Sequence, residues 1–142
     1  MIYAVLDTNV LVSALLSKSA DSTISRLISA VIKKHITPLY SPEIIKEYRE
    51  VLARKKFCFP KELQKALVNR IISIGLDSER VPFDEVMLDE DDRVFYEVAL
   101  SREDAYLVTG NLKHFPITPI VVTPAEMLEI LLGEDNETAL HV

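Results

Sequence analysis

The stretch YAVLDTNVLVSALL, residues 3–16, opens as an apolar run. It then sets a carboxylate, a hydroxyl and an amide side by side in Asp7, Thr8 and Asn9, and turns apolar again. A short apolar run bounded by polar residues reads as a strand buried on both faces, the kind found in parallel sheets covered by helices. Asp7 stands at the exit of that strand, and in open parallel sheets ligands bind beyond the carboxyl ends of the strands. A plainer use exists as well. Asp, Thr and Asn all accept the free N–H groups of a following helical turn, so the rest of the chain has to decide between a helix cap and a site.

Working outward, IYAVL (2–6), TPLYS (37–41), AYLVT (105–109) and PIVVT (119–123) share the short, bounded apolar pattern. Between them, 21–34, 43–55, 61–74 and 91–102 carry apolar residues at three- and four-residue spacing, as in Ile44, Ile45, Tyr48, Val51 and Leu52, and read as helices. Ser41 before Pro42 supplies an N-cap with proline in the first helical turn. Thr123-Pro124 repeats the device before AEMLEILL. Strands alternating with helices predict an α/β fold with a parallel sheet covered on both sides.

Composition narrows the function. Against 22 Asp and Glu stand 16 Lys and Arg, a net charge of −6, so the protein is no polycation and any contact with nucleic acid has to be local. The single cysteine, Cys58, excludes an internal disulfide and a multi-cysteine zinc site, and is read as packing. No apolar stretch reaches a membrane span and the N-terminus lacks a signal peptide, so the expectation is a cytoplasmic protein with no membrane contact. A chain of 142 residues is the size of one domain. We place that domain at 1–132, with 133–142, GEDNETALHV, as a frayed tail.

Further acids bear on Asp7. Glu43, Glu47 and Glu50 share one helix at helical spacing. Glu43 and Glu50 suit a solvated stripe, whereas Glu47, flanked by Ile44, Tyr48 and Val51, sits at the edge of the buried side and needs a partner. In MLDEDDRVFYEVAL, 87–100, Asp89, Glu90, Asp91 and Asp92 precede an amphipathic helix; Glu90 and Asp91 suit its first turn, but four acids exceed what capping needs. Finally LVTGNLKHF, 107–115, leaves a buried strand into Thr109, Gly110 and Asn111, a turn or a polar site at a second strand end.

Taken in order, LDTNVLVSALL, SPEIIKEYREVL, DEDDRVFYEVAL and YLVTGNLKHFP resemble the PIN-domain nucleases over nearly the whole chain, from about Ile2 to about Met127. More narrowly they look like the toxins of bacterial and archaeal toxin–antitoxin pairs, related to VapC-type toxins. The resemblance implies a three-layer α/β/α sandwich around a short, mainly parallel sheet, RNA cleavage dependent on Mg²⁺ or Mn²⁺, a homodimer and an antitoxin partner. Its three acids fall on Asp7, Glu47 and Asp92, with Asn111 at the fourth polar position, Asp89 close enough to assist the metal, and Thr8 and Asn9 accompanying the first acid. This sequence departs from the fullest pattern in having Asn111 where many relatives carry an acid, and His114 where many toxins have Asp.

The implied chemistry explains the residue types. Cleaving a phosphodiester gathers a phosphate and a nucleophilic water in one pocket, and a divalent cation held by carboxylates neutralises that charge and lowers the pKa of the water. Mg²⁺ and Mn²⁺ prefer oxygen ligands, so no His or Cys is required. Lys46, Arg49, Arg54, Lys55 and Lys56, with Lys61 and Lys65 beyond, concentrate basic charge near Glu47 and suit contacts to an RNA backbone, an ordinary solvated face being the alternative and the preferred reading for any single one of them. Phe57 and Phe59 are candidates to stack on bases, with burial under a loop the preferred reading for both, and His114 is placed in a turn or at the surface rather than as a catalytic acid–base. The resemblance to dimeric toxins implies that the apolar Ile24, Leu27 and Ile28 contribute to a dimer interface, core packing being the alternative reading. The leading expectation is an endoribonuclease. Its alternative is a catalytically weak or inactive PIN-like binding or assembly module, and a flavodoxin-like or receiver-like regulator lacks the Gly- or Ser-rich loop it would need after the first strand.

Overall fold

The computed structural model describes residues 1–140 of the backbone and side chains through residue 134. Five strands form one wholly parallel sheet among the described residues: β1 (Ile2–Leu6), β2 (Ile36–Tyr40), β3 (Leu76–Asp77), β4 (Ala105–Val108) and β5 (Val121–Val122), in the order β3-β2-β1-β4-β5. Among the described residues six helices flank it: α1 (Thr8–Leu16), α2 (Thr23–Ile32), α3 (Pro42–Leu52), α4 (Lys61–Ile74), α5 (Arg93–Ala99) and α6 (Pro124–Leu140). The fold is the three-layer α/β/α sandwich expected. The expected tail, 133–142, falls for the most part outside the described side chains.

The strand order places the site. From β1 the chain steps outward through β2 to β3 and then returns across β1 to β4, so the direction of winding reverses between β1 and β4. A crevice opens at the carboxyl ends of the strands where winding reverses. Leu6 pairs with Val108, and the ladder runs one step further as the Asp7 amide donates to the Val108 carbonyl at 2.9 Å. Asp7 and Thr109 therefore leave the sheet side by side.

Local chemistry sets the helix starts. The Ser41 hydroxyl accepts from the Ile44 amide at 3.3 Å ahead of Pro42. At α6, the Thr123 hydroxyl accepts from the Glu126 amide at 3.2 Å while the Glu126 carboxylate accepts from the Thr123 amide at 3.0 Å, a reciprocal capping box. The core is built from Val5, Leu6, Leu11, Leu27, Ile36, Leu39, Ile44, Tyr48, Phe95 and Leu107, all at most 1 % exposed. Leu27 is thus committed to this core. Of the three residues expected at a dimer interface, Ile24 and Ile28 alone keep exposed surface.

Two departures from the sequence expectations have physical causes. The helix α1 was not separated from the apolar run, because VLVSALL lies too close to the strand for a change of period to show. Strand β3 has two residues, with Leu76 42 % exposed, so it carries no apolar run. Pro38 lies in the interior strand β2, where its missing N–H is tolerated because pairing with β1 ends at Ala4↔Pro38 and pairing with β3 begins at Leu39↔Leu76. Cys58, expected to pack, is exposed.

Candidate active site

Asp7 occupies the N-cap position of α1, yet its side chain makes no capping hydrogen bond. It is 6 % exposed and accepts from the Thr109 hydroxyl at 2.8 Å across the gap between β1 and β4. Thr8 donates its hydroxyl to the Glu47 carboxylate on α3, and Asn9 accepts from the Gly110 amide at 3.3 Å. Three consecutive polar residues therefore reach three different partners, two beyond β4 and one on α3.

Each remaining acid is held by the element behind it. Glu47 follows from the seating of α3: the buried Tyr48 donates its hydroxyl to the Leu6 carbonyl at 2.5 Å and sets its ring against Phe95 of α5, with centroids 6.3 Å apart. Asp92 precedes α5 and its side chain makes no capping bond either, whereas Asp89 takes that duty for the single 3-10 turn Glu90–Asp92 by accepting from the Asp91 amide at 3.0 Å. The Asp92 carboxylate instead meets His114 Nδ1 at 3.2 Å. Behind α5, the buried Glu97 accepts from Arg80 at 2.7 Å and from the Phe83 amide at 2.8 Å, tying the 78–89 segment that delivers Asp89 to the helix that Asp92 begins.

Asp7, Thr8, Asn9, Glu47, Arg54, Asp89, Asp92, Asn111 and His114 line one cleft of about 280 Å³, with Val12, Val51 and Phe57. Burial raises the Asp7 carboxyl from its ordinary 3.8 to about 6; the Thr109 hydrogen bond opposes the rise and the charge of Asp92 adds to it. Burial likewise raises Glu47, opposed by its bond from Thr8 and assisted by Asp7, and raises Asp92, opposed by its bond to His114 and assisted by Asp89 and Glu47. Each of the three acids feels at least one of the others. Gathering them costs free energy that a cation would return.

The donor set suits a hard cation, being carboxylates and an amide oxygen. Among the described residues, no three His, Cys, Asp or Glu side chains stand close enough to enclose a metal ion by themselves. Mg²⁺ needs no such cage, because it keeps several of its waters and commonly takes one or two carboxylates directly. Asp7, Glu47 and Asp92 line one cleft together with Asp89 and Asn111, carboxylates and an amide that offer oxygen donors.

The basic residues divide. Arg54 lines the cleft and also a larger adjoining groove, of about 430 Å³, which shares Glu47 and Val51 with it and includes Lys46 and Arg80. Arg49, Lys55 and Lys56 are exposed and line neither. Glu43 and Glu50 lie in that groove and outside the cleft, Glu43 paired with Arg80 at 2.8 Å. Two further residues line the cleft, Phe57 and His114. His114 was expected in a surface turn and Phe57 under a loop, and their positions depend on 3-10 turns, Leu112–His114 and Lys55–Phe57, too short to leave a periodic signal.

A parallel sheet whose polar residues converge where its winding reverses defines an α/β protein with its site between the first and fourth strands. Residues 3–113 match the family described as PIN domain, and the chain belongs to that family. PIN domains are in general nucleases, so the fold is of a nuclease type. Neither the curated proteins nor the solved structures yielded a match. Among the described residues, no helix is long and apolar enough to cross a membrane.

Proposed function

We propose that this PIN domain is an endoribonuclease that hydrolyses RNA phosphodiester bonds with Mg²⁺ or Mn²⁺, and that it is the toxin of a toxin–antitoxin pair, acting as a homodimer. The observation that carries the reading is Asp7: a buried acid at the exit of β1, raised to about 6, that makes no capping bond and shares its cleft with Glu47 and Asp92. A bound Mg²⁺ or Mn²⁺ supplies charge neutralisation at the phosphate and a water of lowered pKa. Thr109 and Thr8 hold the Asp7 and Glu47 carboxylates in fixed orientations, and Asn9 ties the start of α1 to the turn after β4. Arg54 and Lys46, in the cleft and its adjoining groove, receive the flanking phosphates.

A second reading is a PIN domain kept for binding or assembly without turnover. It is favoured by Asn111 in place of a fourth acid and by the absence, among the described residues, of a ready-made three-ligand cluster. Thermal melts and cleavage of a single-stranded RNA, both with millimolar Mn²⁺ or Mg²⁺, separate the two. The nuclease reading expects a raised midpoint together with cleavage that EDTA abolishes. A raised midpoint without cleavage favours the binding module, and an unchanged midpoint without cleavage removes the metal site from both.

A further inference from the structure

We propose that Phe57 is a stacking platform for one unpaired nucleobase of the RNA strand, beside the phosphate that the acidic cleft receives; this rests on the nuclease reading above. The ring lines the cleft with Asp7, Glu47, Asp92 and Arg54, an apolar surface among charges. Phe59 packs against the core and lies nearly parallel to Phe57, with centroids 5.4 Å apart and 13° between the planes. Between them Cys58 adopts the left-handed conformation, φ 55°, closed by its amide to the Lys55 carbonyl at 3.2 Å. A non-glycine residue takes that conformation uncommonly, and here it brings the two rings together, so that the anchored Phe59 backs the Phe57 ring.

Such a ring cannot hold a cation with the carboxylates or donate a proton. Every base, however, has a π-face, and aromatic side chains bind unpaired bases through it with little regard to sequence. The exposed Lys56 ammonium lies 5.1 Å from the Phe57 centroid. An exposed contact of that kind is weaker than base stacking, so the ammonium gives way to a base and turns to a phosphate of the same strand. Bases within a duplex are already stacked on one another, which makes the occupant a single strand.

Affinity for a labelled single-stranded RNA, with one abasic site moved along it, tests the platform. The protein carries Asp7→Asn to prevent cleavage, with or without Phe57→Leu. At one position the abasic site weakens binding by roughly 5- to 150-fold when Phe57 is present and has no effect in the Phe57→Leu protein, while Phe57→Trp restores the dependence. Unchanged melting of the Phe57→Leu protein confirms that its fold is retained. An affinity that no abasic position changes, or that changes equally with and without the ring, overturns the platform. Wild-type cleavage of the unmodified strand in Mn²⁺ is scored alongside. Cleavage with no Phe57-dependent position overturns the platform alone, and loss of both cleavage and binding overturns the nuclease reading with it.

Discussion

At residue scale the central object is a buried acid whose charge the fold does not need. Folding raises the Asp7 carboxyl from 3.8 to about 6, so between those pH values the folded chain holds a proton that the unfolded chain has released. Stability from this group is therefore full below about pH 4, falls as pH rises through about 6, and is flat above that. The shift corresponds to at most about 3 kcal/mol of destabilisation at neutral pH without metal. Asp7→Asn keeps the size and the acceptor for Thr109 while removing the charge. In EDTA it should melt several degrees above wild type at pH 7, with the gap closing by about pH 4. A gap independent of pH, or a variant less stable at pH 7, would mean that the carboxylate is structural. Asp-Thr-Asn could be recognised as polar residues at a strand exit because strand and exit are adjacent in sequence. That all three reach across to other elements depends on partners 102, 39 and 101 positions away in sequence, and no local pattern records that.

At the scale of elements, the acids stand where they do because α3 and α5 are seated on the end of β1. Tyr48→Phe removes the hydroxyl that reaches the Leu6 carbonyl and should cost about 1–2 kcal/mol. If Tyr48 positions Glu47, the variant should also lose kcat on RNA with little change in KM, whereas a purely structural tyrosine would leave kcat intact once folding is complete. A second contact is steric. A Cβ on Gly75 would lie 2.4 Å from the Pro38 carbonyl and 2.7 Å from that of Ile71, both backbone atoms that cannot swing aside. Gly75→Ala should lower stability by about 1–3 kcal/mol, measured by urea denaturation; a neutral result would show that α4 meets β2 more loosely than described. The long helices were legible from their periodicity, α4 to the residue at 61–74. Strand β3 and the 3-10 turns that carry Phe57 and His114 were not, since two or three residues hold no period and tertiary contacts place them.

For the whole molecule, net charge and cleft charge have the same sign, so nothing in the average composition draws an RNA backbone to the site. Arg54 and Lys46 are the local exception, and neutralising both should weaken RNA binding and flatten its salt dependence. The proposed dimer is tested by sedimentation: Ile24 and Ile28 remain available to it and Leu27 does not. A species that stays monomeric at high micromolar concentration would remove it. The alternation of strands and helices made the α/β class legible, because burial on both faces leaves continuous apolar runs. The central claim is that the acid leaving β1 serves a cation and a phosphate. It is tested most directly by the rate of single-stranded RNA cleavage in Mn²⁺ across a set of charge-removing variants. The account predicts that Asp7→Asn, Glu47→Gln and Asp92→Asn each lower the rate by orders of magnitude while remaining folded, and that Glu43→Gln and Glu50→Gln, outside the cleft, leave it nearly unchanged. A wild type that cleaves and an Asp7→Asn variant that cleaves equally well would contradict it.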